Sequence, residues 1–355
     1  MAGVVETSAV ALVDEVLARA VSYGASDVHL DPTESGLSMR FRKDGVLGAP
    51  EVLPLRRADH VVGRLKALAD LLAYRTDLPQ EGRIAAGRAG VGVEVRVSTF
   101  PTLLGERVAL RFDTPDGAPR PLCELGIGDD IATDLRTAIE QPEGVVLLTG
   151  PSGSGKTTTL YSCLRHLATA MPHRSLFSLE DPVERRVDGV TQTEVRPVVG
   201  LTFARALRSL LRQDPDVLLV GEIRDLETAR IALEAGLTGH LVLATIHAGT
   251  APQVFSRLLE MKVEPFVLTT AVRGVLSQRL LRRRDGDAYA GRVAVAEWLS
   301  VDGALREAIL RRADGPQLTT AAVGSGYRSL KERARDLVAT GETTPEEVQR
   351  VLGDD

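Results

Sequence analysis

The chain has 355 residues, a length that suggests about two domains. Apolar residues make up 44% and charged residues 26%, which excludes a disordered polymer and allows a buried core in each domain. The net charge is −5 with no strongly basic half, so nucleic acid is not the expected partner, and no apolar run approaches the ~18 residues of a membrane-spanning helix.

The N-terminus, MAGVVETSAVALVDEVLARA, carries acids and lacks a basic start, so no signal peptide is expected. Residues 8–23 place Val10, Val13, Val16, Leu17 and Ala20 at helical spacing and predict a helix. Leu37, Met39 and Phe41 alternate with Ser38, Arg40 and Arg42, which predicts a half-buried strand ending in the turn Lys43-Asp44-Gly45. A helix is expected over 57–73. Val91, Val93, Val95 and Val97 predict a further strand, as do Val108, Leu110 and Phe112. Residues 1–112 thus read as a small α+β domain with an antiparallel sheet. Residues 113–121, DTPDGAPRP, read as a linker.

Residues 122–355 form the second expected domain. Alternation gives way to continuous apolar runs at 145–148, 176–179, 217–220 and 241–244, separated by helical stretches. Buried parallel strands read this way, so this domain is expected to be α/β. From about 263 the pattern looks mainly helical. Cys123 and Cys163 lie 40 residues apart, form no metal pattern, and are expected as reduced, partly buried thiols in the cytoplasm.

Residues 150–157, Gly-Pro-Ser-Gly-Ser-Gly-Lys-Thr, fit the phosphate-binding pattern G-x-x-x-x-G-K-[ST] between an apolar strand and a helix. Gly150, Gly153 and Gly155 let the backbone curl so that the N–H groups of the loop, with Ser152, Ser154 and Thr158 beside it, face phosphate oxygens. Lys156 would reach the β and γ phosphates, and the Thr157 hydroxyl would hold Mg²⁺. Strand 217–220 runs into Gly221-Glu222, which places a carboxylate beside such a loop; on spacing alone Glu222 could also be a solvated strand-end acid. Strand 176–179 ends in Glu180-Asp181-Pro182-Val183-Glu184, either a metal-side acidic cluster or a turn stiffened by Pro182. Arg205, Arg208 and Arg212 share a helical spacing and Arg224 follows Glu222; they would neutralise a triphosphate or simply face water. His247 follows strand 241–245 and is either a γ-phosphate sensor or a structural histidine.

Taken together, these pieces resemble the secretion ATPases of type II secretion and type IV pilus assembly, the GspE/PilB/PilT superfamily. The marks are ASDVHLDP at 25–32, PQEGRI at 79–84, EVRVSTFPTLLGERVALR at 94–111 and GPSGSGKTTTLY at 150–161. SLEDPVE at 178–184, LRSLLRQDPDVLLVGEIRDLETARIALEAGLTGHLVLATIH at 207–247 and SQRLLR at 277–282 complete them. The resemblance implies a PAS-like N-terminal domain, a RecA-like motor domain, a homo-hexameric ring, and ATP with Mg²⁺. It assigns Glu180 and Asp181 to the family's Asp box, Glu222 to its Walker B and His247 to its His box, with Thr157, Glu180, Asp181 and Glu222 on the metal side. It makes Arg83, Arg96, Arg208, Arg212 and Arg224 nucleotide-facing. Many assembly ATPases carry a four-cysteine zinc insert after the SQRLLR-like stretch; here Arg282-Arg283-Arg284-Asp285-Gly286-Asp287 runs on without cysteine, so no zinc is expected. The chain begins almost at the PAS-like domain, as in retraction ATPases, yet EDPVE, LRQDPD and GEIRDLET are similar to the assembly branch. The expected activity is Mg²⁺-dependent ATP hydrolysis in the cytoplasm, at the inner membrane through a secretion or pilus platform protein. A pilus retraction motor, a non-hydrolysing ATP-binding regulator and a DNA translocase are the rivals.

Overall fold

The computed structural model describes residues 8–53, 58–113 and 119–353. The chain divides into two compact units, with the boundary between residues 117 and 118. That boundary falls within the expected linker, of which 114–118 lie outside the described residues.

The first unit opens with α1 (Ala9–Tyr23). The Ser8 side chain accepts the Ala11 N–H, and Gly24 ends the helix at φ 72°. Val13, Val16, Leu17 and Ala20 form the buried stripe, while Val10 is exposed. Each fully buried aliphatic side chain of this kind contributes about 1.5–3 kcal/mol. The strands are β1 (Asp27–Thr33), β2 (Gly36–Lys43), β3 (Val46–Leu47), β4 (Glu51–Leu53), β5 (Gln80–Ile84), β6 (Val95–Thr102) and β7 (Gly105–Phe112), with α2 (Ala58–Leu68) after β4. They form one antiparallel sheet in the order β3-β2-β1-β7-β6-β5, with β4 beside β2. The expected strands at 37–42 and 108–112 lie within β2 and β7.

Three expectations shift. The strand expected at 91–97 starts only at Val95, because Ile84, the last residue of β5, faces Val95 and leaves 91–94 without a ladder partner. Val91 and Val93 are buried all the same, so their alternation recorded burial rather than pairing. The helix expected over 57–73 stops at Leu68, and Asp70 turns the chain at φ 57°; residue 57 lies outside the described residues. β1, absent from the sequence reading, sits between β2 and β7.

The second unit contains α3 (Asp129–Ile139), β8 (Gly144–Thr149), α4 (Lys156–Ala170), β9 (Leu176–Glu180), β10 (Val190–Glu194) and α5 (Phe203–Leu210). It continues with β11 (Val217–Val220), α6 (Leu226–Leu237), β12 (Leu241–Ile246), α7 (Ala251–Glu260) and α8 (Pro265–Ala271). It ends with β13 (Val272–Asp285), β14 (Ala288–Ser300), α9 (Gly303–Leu310), α10 (Gly315–Gly324), α11 (Leu330–Ala339) and α12 (Pro345–Leu352). The sheet order is β10-β9-β11-β12-β8-β13-β14, parallel except for the β13–β14 hairpin. The four apolar runs are the central parallel strands, buried throughout at β8, β11 and β12 because helices cover both faces. The helical reading from 263 onward is corrected: β13 and β14 form a long hairpin. Val275, Leu276, Leu280 and Leu281 follow a spacing that also suits a helix, but β13 docks in parallel on β8 and is buried on both faces over Gly274–Gln278. Cys163 is fully buried, which pushes its thiol up to about 12, whereas Cys123 is exposed rather than partly buried. No described helix is long and apolar enough to cross a membrane.

The C-terminal helices are pinned to the hairpin by Glu347. This side chain is fully buried; it accepts from the Arg282 N–H (2.9 Å) and Nε (2.9 Å) and from Arg350 Nε (2.7 Å). Burial alone would raise its pKa, but the hydrogen bonds from Arg350 and Arg282 prevail and hold it near about 2. A depressed carboxyl stabilises the fold above its ordinary value of 4.5 and loses that contribution as pH falls toward about 2. Glu347→Ala is therefore expected to cost about 2 kcal/mol at pH 7, because the buried Arg282 N–H loses its acceptor while both arginines relax into water. The difference between variant and wild type should shrink over that acid window. Thermal melts at pH 7 and pH 3 check this; an equal deficit at both would assign the loss to packing.

Candidate phosphate-binding site

β8 feeds the loop 150–155 and α4 follows without a break. Gly150, Gly153 and Gly155 hold φ values of 141°, 75° and 93°, in the region that disfavours a side chain. Space demands glycine as well: a Cβ at Gly150 would lie 2.6 Å from the Gln278 carbonyl, and one at Gly155 would lie 2.5 Å from Gln278 Nε2. The loop is thus pressed against β13. Ser152 and Gly153 are exposed, and the buried Ser154 hydroxyl has no partner among the described residues. Lys156 Nζ donates to the carbonyls of Gly150 (2.7 Å) and Pro151 (2.9 Å). Burial lowers the Lys156 pKa, against the opposing pull of Glu222. No side chain caps α4 at Gly155, so its first N–H groups and its positive end are left for an anion. Thr157 lines the cleft beside Lys156, while Thr158 is exposed.

Glu180 and Glu222 line the same cleft, with Asp181, Glu184, Tyr161, Arg224 and Thr245. Their surroundings differ. Glu180 is buried and all its hydrogen bonds come from neutral donors: the Tyr161 hydroxyl, Ser178 Oγ (2.5 Å) and Gln192 Nε2 (3.2 Å). Tyr161 also accepts the N–H groups of Glu184 (3.2 Å) and Arg185 (3.3 Å), tying the acidic loop to α4. Glu222 instead pairs with an arginine and a histidine, Arg224 Nε at 2.6 Å and His247 Nε2 at 3.0 Å. Arg224 also approaches Asp181, at 3.9 Å. A Cβ at Gly221 would lie 3.0 Å from the Leu179 carbonyl of the neighbouring strand, tighter than ordinary contact. Among the described residues no three His, Cys, Asp or Glu side chains cluster as metal ligands. The oxygen donors of Thr157, Glu180, Asp181 and Glu222 suit a cation such as Mg²⁺, which takes few protein ligands and keeps water and phosphate for the rest.

The arginines separate. Arg224 is in the cleft. Arg208 lies on α5 and pairs with Glu227 at 2.5 Å, outside the cleft lining. Arg212 falls beyond the end of α5, so the shared helical face with Arg205 and Arg208 does not extend to it; it is exposed and outside the lining too. In the first unit Arg83 directly faces Arg96 across β5 and β6, and Arg96 faces Arg111 across β6 and β7. Arg83 lies 3.3 Å from Glu94, Arg96 3.7 Å from Asp113 and Arg111 3.4 Å from Asp27. Like charges opposed across strands are unfavourable, and the buried Arg96 Nε has no hydrogen bond among the described residues.

Four contributors went unassigned in the sequence reading. Thr149 Oγ1 accepts the Ala248 N–H and donates to the Ala248 carbonyl, both at 2.9 Å, which ties the His247 loop to the base of the phosphate loop. Arg279 donates to the Gly249 carbonyl at 2.5 Å. Gln278 accepts from Thr159 Oγ1 at 2.8 Å and packs under the glycines. Tyr161 holds Glu180. Tyr161, Gln278 and Arg279 lie within quoted family motifs, but nothing local in the sequence signals their partners.

A family model described as "Type II/IV secretion system protein" matches residues 5–350. The type II secretion system ATPase E of Vibrio cholerae is 40% identical over 379 residues, which cover 96% of this chain and 74% of that protein. The type IV pilus assembly ATPase PilB of Thermus thermophilus is 37% identical over 382 residues, covering 97% of this chain and 43% of PilB. Among solved structures, the ATPase DotB of Legionella pneumophila superposes with a TM-score of 0.77 at 25% identity, covering 99% of this chain and 97% of that one.

Proposed function

Because the chain belongs to the type II/IV secretion system protein family, we propose that it hydrolyses ATP with Mg²⁺ to drive type II secretion or type IV pilus assembly. One observation carries the reading. A loop that only glycine can build opens directly onto α4, and Lys156, Thr157, Glu180, Glu222 and Arg224 converge on its cleft. Phosphoryl transfer to water needs positioning and charge neutralisation more than covalent chemistry, and these groups supply both. The loop amides and Lys156 hold the phosphates. Thr157 and Glu222, with Asp181 behind them, are the groups that would hold Mg²⁺, which would supply Lewis-acid stabilisation of developing charge. Glu180, aimed by Tyr161 and free of cation partners among its hydrogen bonds, is the group that orients and deprotonates water. His247, paired with Glu222, senses the γ-phosphate, and Arg224 stabilises developing charge. In the same reading Arg83 and Arg96 of the first unit are nucleotide-facing arginines. Arg208 and Arg212, outside the cleft, would meet nucleotide in a neighbouring copy of a homo-hexameric ring. In the same reading the second unit is RecA-like and the first PAS-like, and the ring works in the cytoplasm against an inner-membrane platform protein.

The reading is tested by steady-state phosphate release from ATP with Mg²⁺. Glu222→Gln and Glu180→Gln are each expected to retain nucleotide binding and to lose roughly 10²-fold in turnover. Normal hydrolysis by both variants would overturn the carboxylate roles. Nucleotide binding without phosphate release by the wild type would favour the regulatory relative instead.

A further inference from the structure

Glu297, on β14, is fully buried and lies in none of the motifs quoted for the cleft. Its Oε1 accepts the Ala251 N–H at 2.7 Å and its Oε2 accepts the Leu330 N–H at 2.8 Å. The Tyr327 hydroxyl donates to the same carboxylate. Ala251 is the first residue of α7 and Leu330 the first of α11. Each of these N–H groups belongs to a helix start, where no intrahelical carbonyl can accept it. The α7 start has no side-chain cap of its own, since Thr250 makes no capping bond. One carboxylate therefore caps two helices, and the positive ends of both converge on it.

The first of these helices begins where the cleft ends. His247 is paired with Glu222, Ala248 is bonded through both its N–H and its carbonyl to Thr149, and Gly249 is held by Arg279. Ala251 follows, on Glu297. The short covalent segment 247–251 thus joins His247, paired with Glu222, to Ala251, and Glu297 joins Ala251 to the start of α11, which packs against α12 and, through it, the Glu347 clamp.

We propose that Glu297 is a positioning residue that locks the His247 loop to the C-terminal helices, so that a shift of the loop on nucleotide binding moves the start of α11 with it. The inference rests on the reading of the cleft as a nucleotide site. Rigid coupling follows from the geometry: the two N–H groups take different oxygens of one carboxylate held within a strand. A carboxamide cannot replace it, because its Nε2 would face one of the two N–H groups as donor against donor. On that reading His247 meets the nucleotide at its γ-phosphate, so positioning of this kind affects turnover more than binding.

The test compares the full-length wild type, Glu297→Gln and Tyr327→Phe by amide hydrogen exchange, with and without Mg²⁺ and a non-hydrolysable ATP analogue, beside nucleotide affinity and phosphate release. In the wild type the analogue is expected to change exchange both at 248–252 and at 330–333. In Glu297→Gln the change at 248–252 persists, the change at 330–333 disappears, and turnover falls at least tenfold with affinity within about threefold. Tyr327→Phe, which keeps both helix caps, retains the coupled response. The inference is overturned if the wild type responds at 248–252 but not at 330–333, a result that holds even if Glu297→Gln does not fold. It is overturned equally if Glu297→Gln keeps both responses, or if Tyr327→Phe loses the coupling as completely. Failure of the wild type to bind the analogue at all would overturn the nucleotide reading itself, and this inference with it.

Discussion

Lys156→Ala is expected to abolish phosphate release, with a loss of roughly 10³-fold or more, while the protein still folds. The size follows from chemistry: the ammonium is the cation of the loop, and neutralising phosphoryl oxygens in a partly desolvated cleft is worth far more than the same contact in water. Retention of the fold follows from position. Lys156 is the first residue of α4, only partly buried, and its hydrogen bonds go to two loop carbonyls rather than to the core. Removing it leaves those carbonyls near solvent and puts alanine, a good helix former, at a helix start, so the stability change is expected to stay within about 1 kcal/mol. Phosphate release and a thermal melt on the same preparation check both halves. Wild-type turnover would remove the site from this loop. An unfolded variant would mean that the Lys156 contacts hold the loop together, and Lys156→Arg would then be used, since it keeps the charge and the bonding while mismatching the phosphates.

The second large effect is expected at Arg96. Replacing an exposed arginine normally changes stability by less than about 0.5 kcal/mol and changes activity not at all. Arg96 is not of that kind. It stands between Arg83 and Arg111 in a cross-strand row, its ion pair with Asp113 spans 3.7 Å, and its buried Nε lacks a hydrogen bond among the described residues. A row of like charges is a cost to the sheet that an anion would offset. Arg96→Ala is therefore expected to fold at least as well as wild type, to bind ATP, and to hydrolyse it ~10³-fold more slowly, the range of an arginine finger. Arg96→Lys should recover little, because lysine lacks the planar fork. Thermal stability beside turnover decides the matter: an unchanged rate would return Arg96 to the solvated surface, and a large loss of stability would make it a structural residue.

What the sequence by itself determined is what is local. The phosphate loop was legible because its glycines, lysine and threonine are contiguous and its flanking strand and helix announce themselves by apolar pattern. The parallel core was legible because strands covered on both faces become unbroken apolar runs, as at β8, β11 and β12. Glu222 and His247 were legible as residues at strand ends, but not as partners.

What only the tertiary structure decided depends on residues remote in the chain. The β13–β14 hairpin was mistaken for helix because its leucine spacing suits either state, and pairing with β8, more than a hundred residues earlier in the chain, settles the choice. Arg212 has helical spacing to Arg208, yet α5 ends before it. The glycines at 150 and 155 were read as phosphate-facing, but Gln278 also presses on them from β13. Glu180 and Glu222 look alike as strand-end acids, and only packing gives one a tyrosine, a serine and a glutamine and the other an arginine and a histidine. Glu297 carries no local signal at all, since its meaning lies in two helix starts brought to it from opposite directions in the chain. Backbone conformation is set largely by neighbours in sequence. A side chain's charge environment and its hydrogen-bond partners are set by neighbours in space, and those exist only once the sheet has closed.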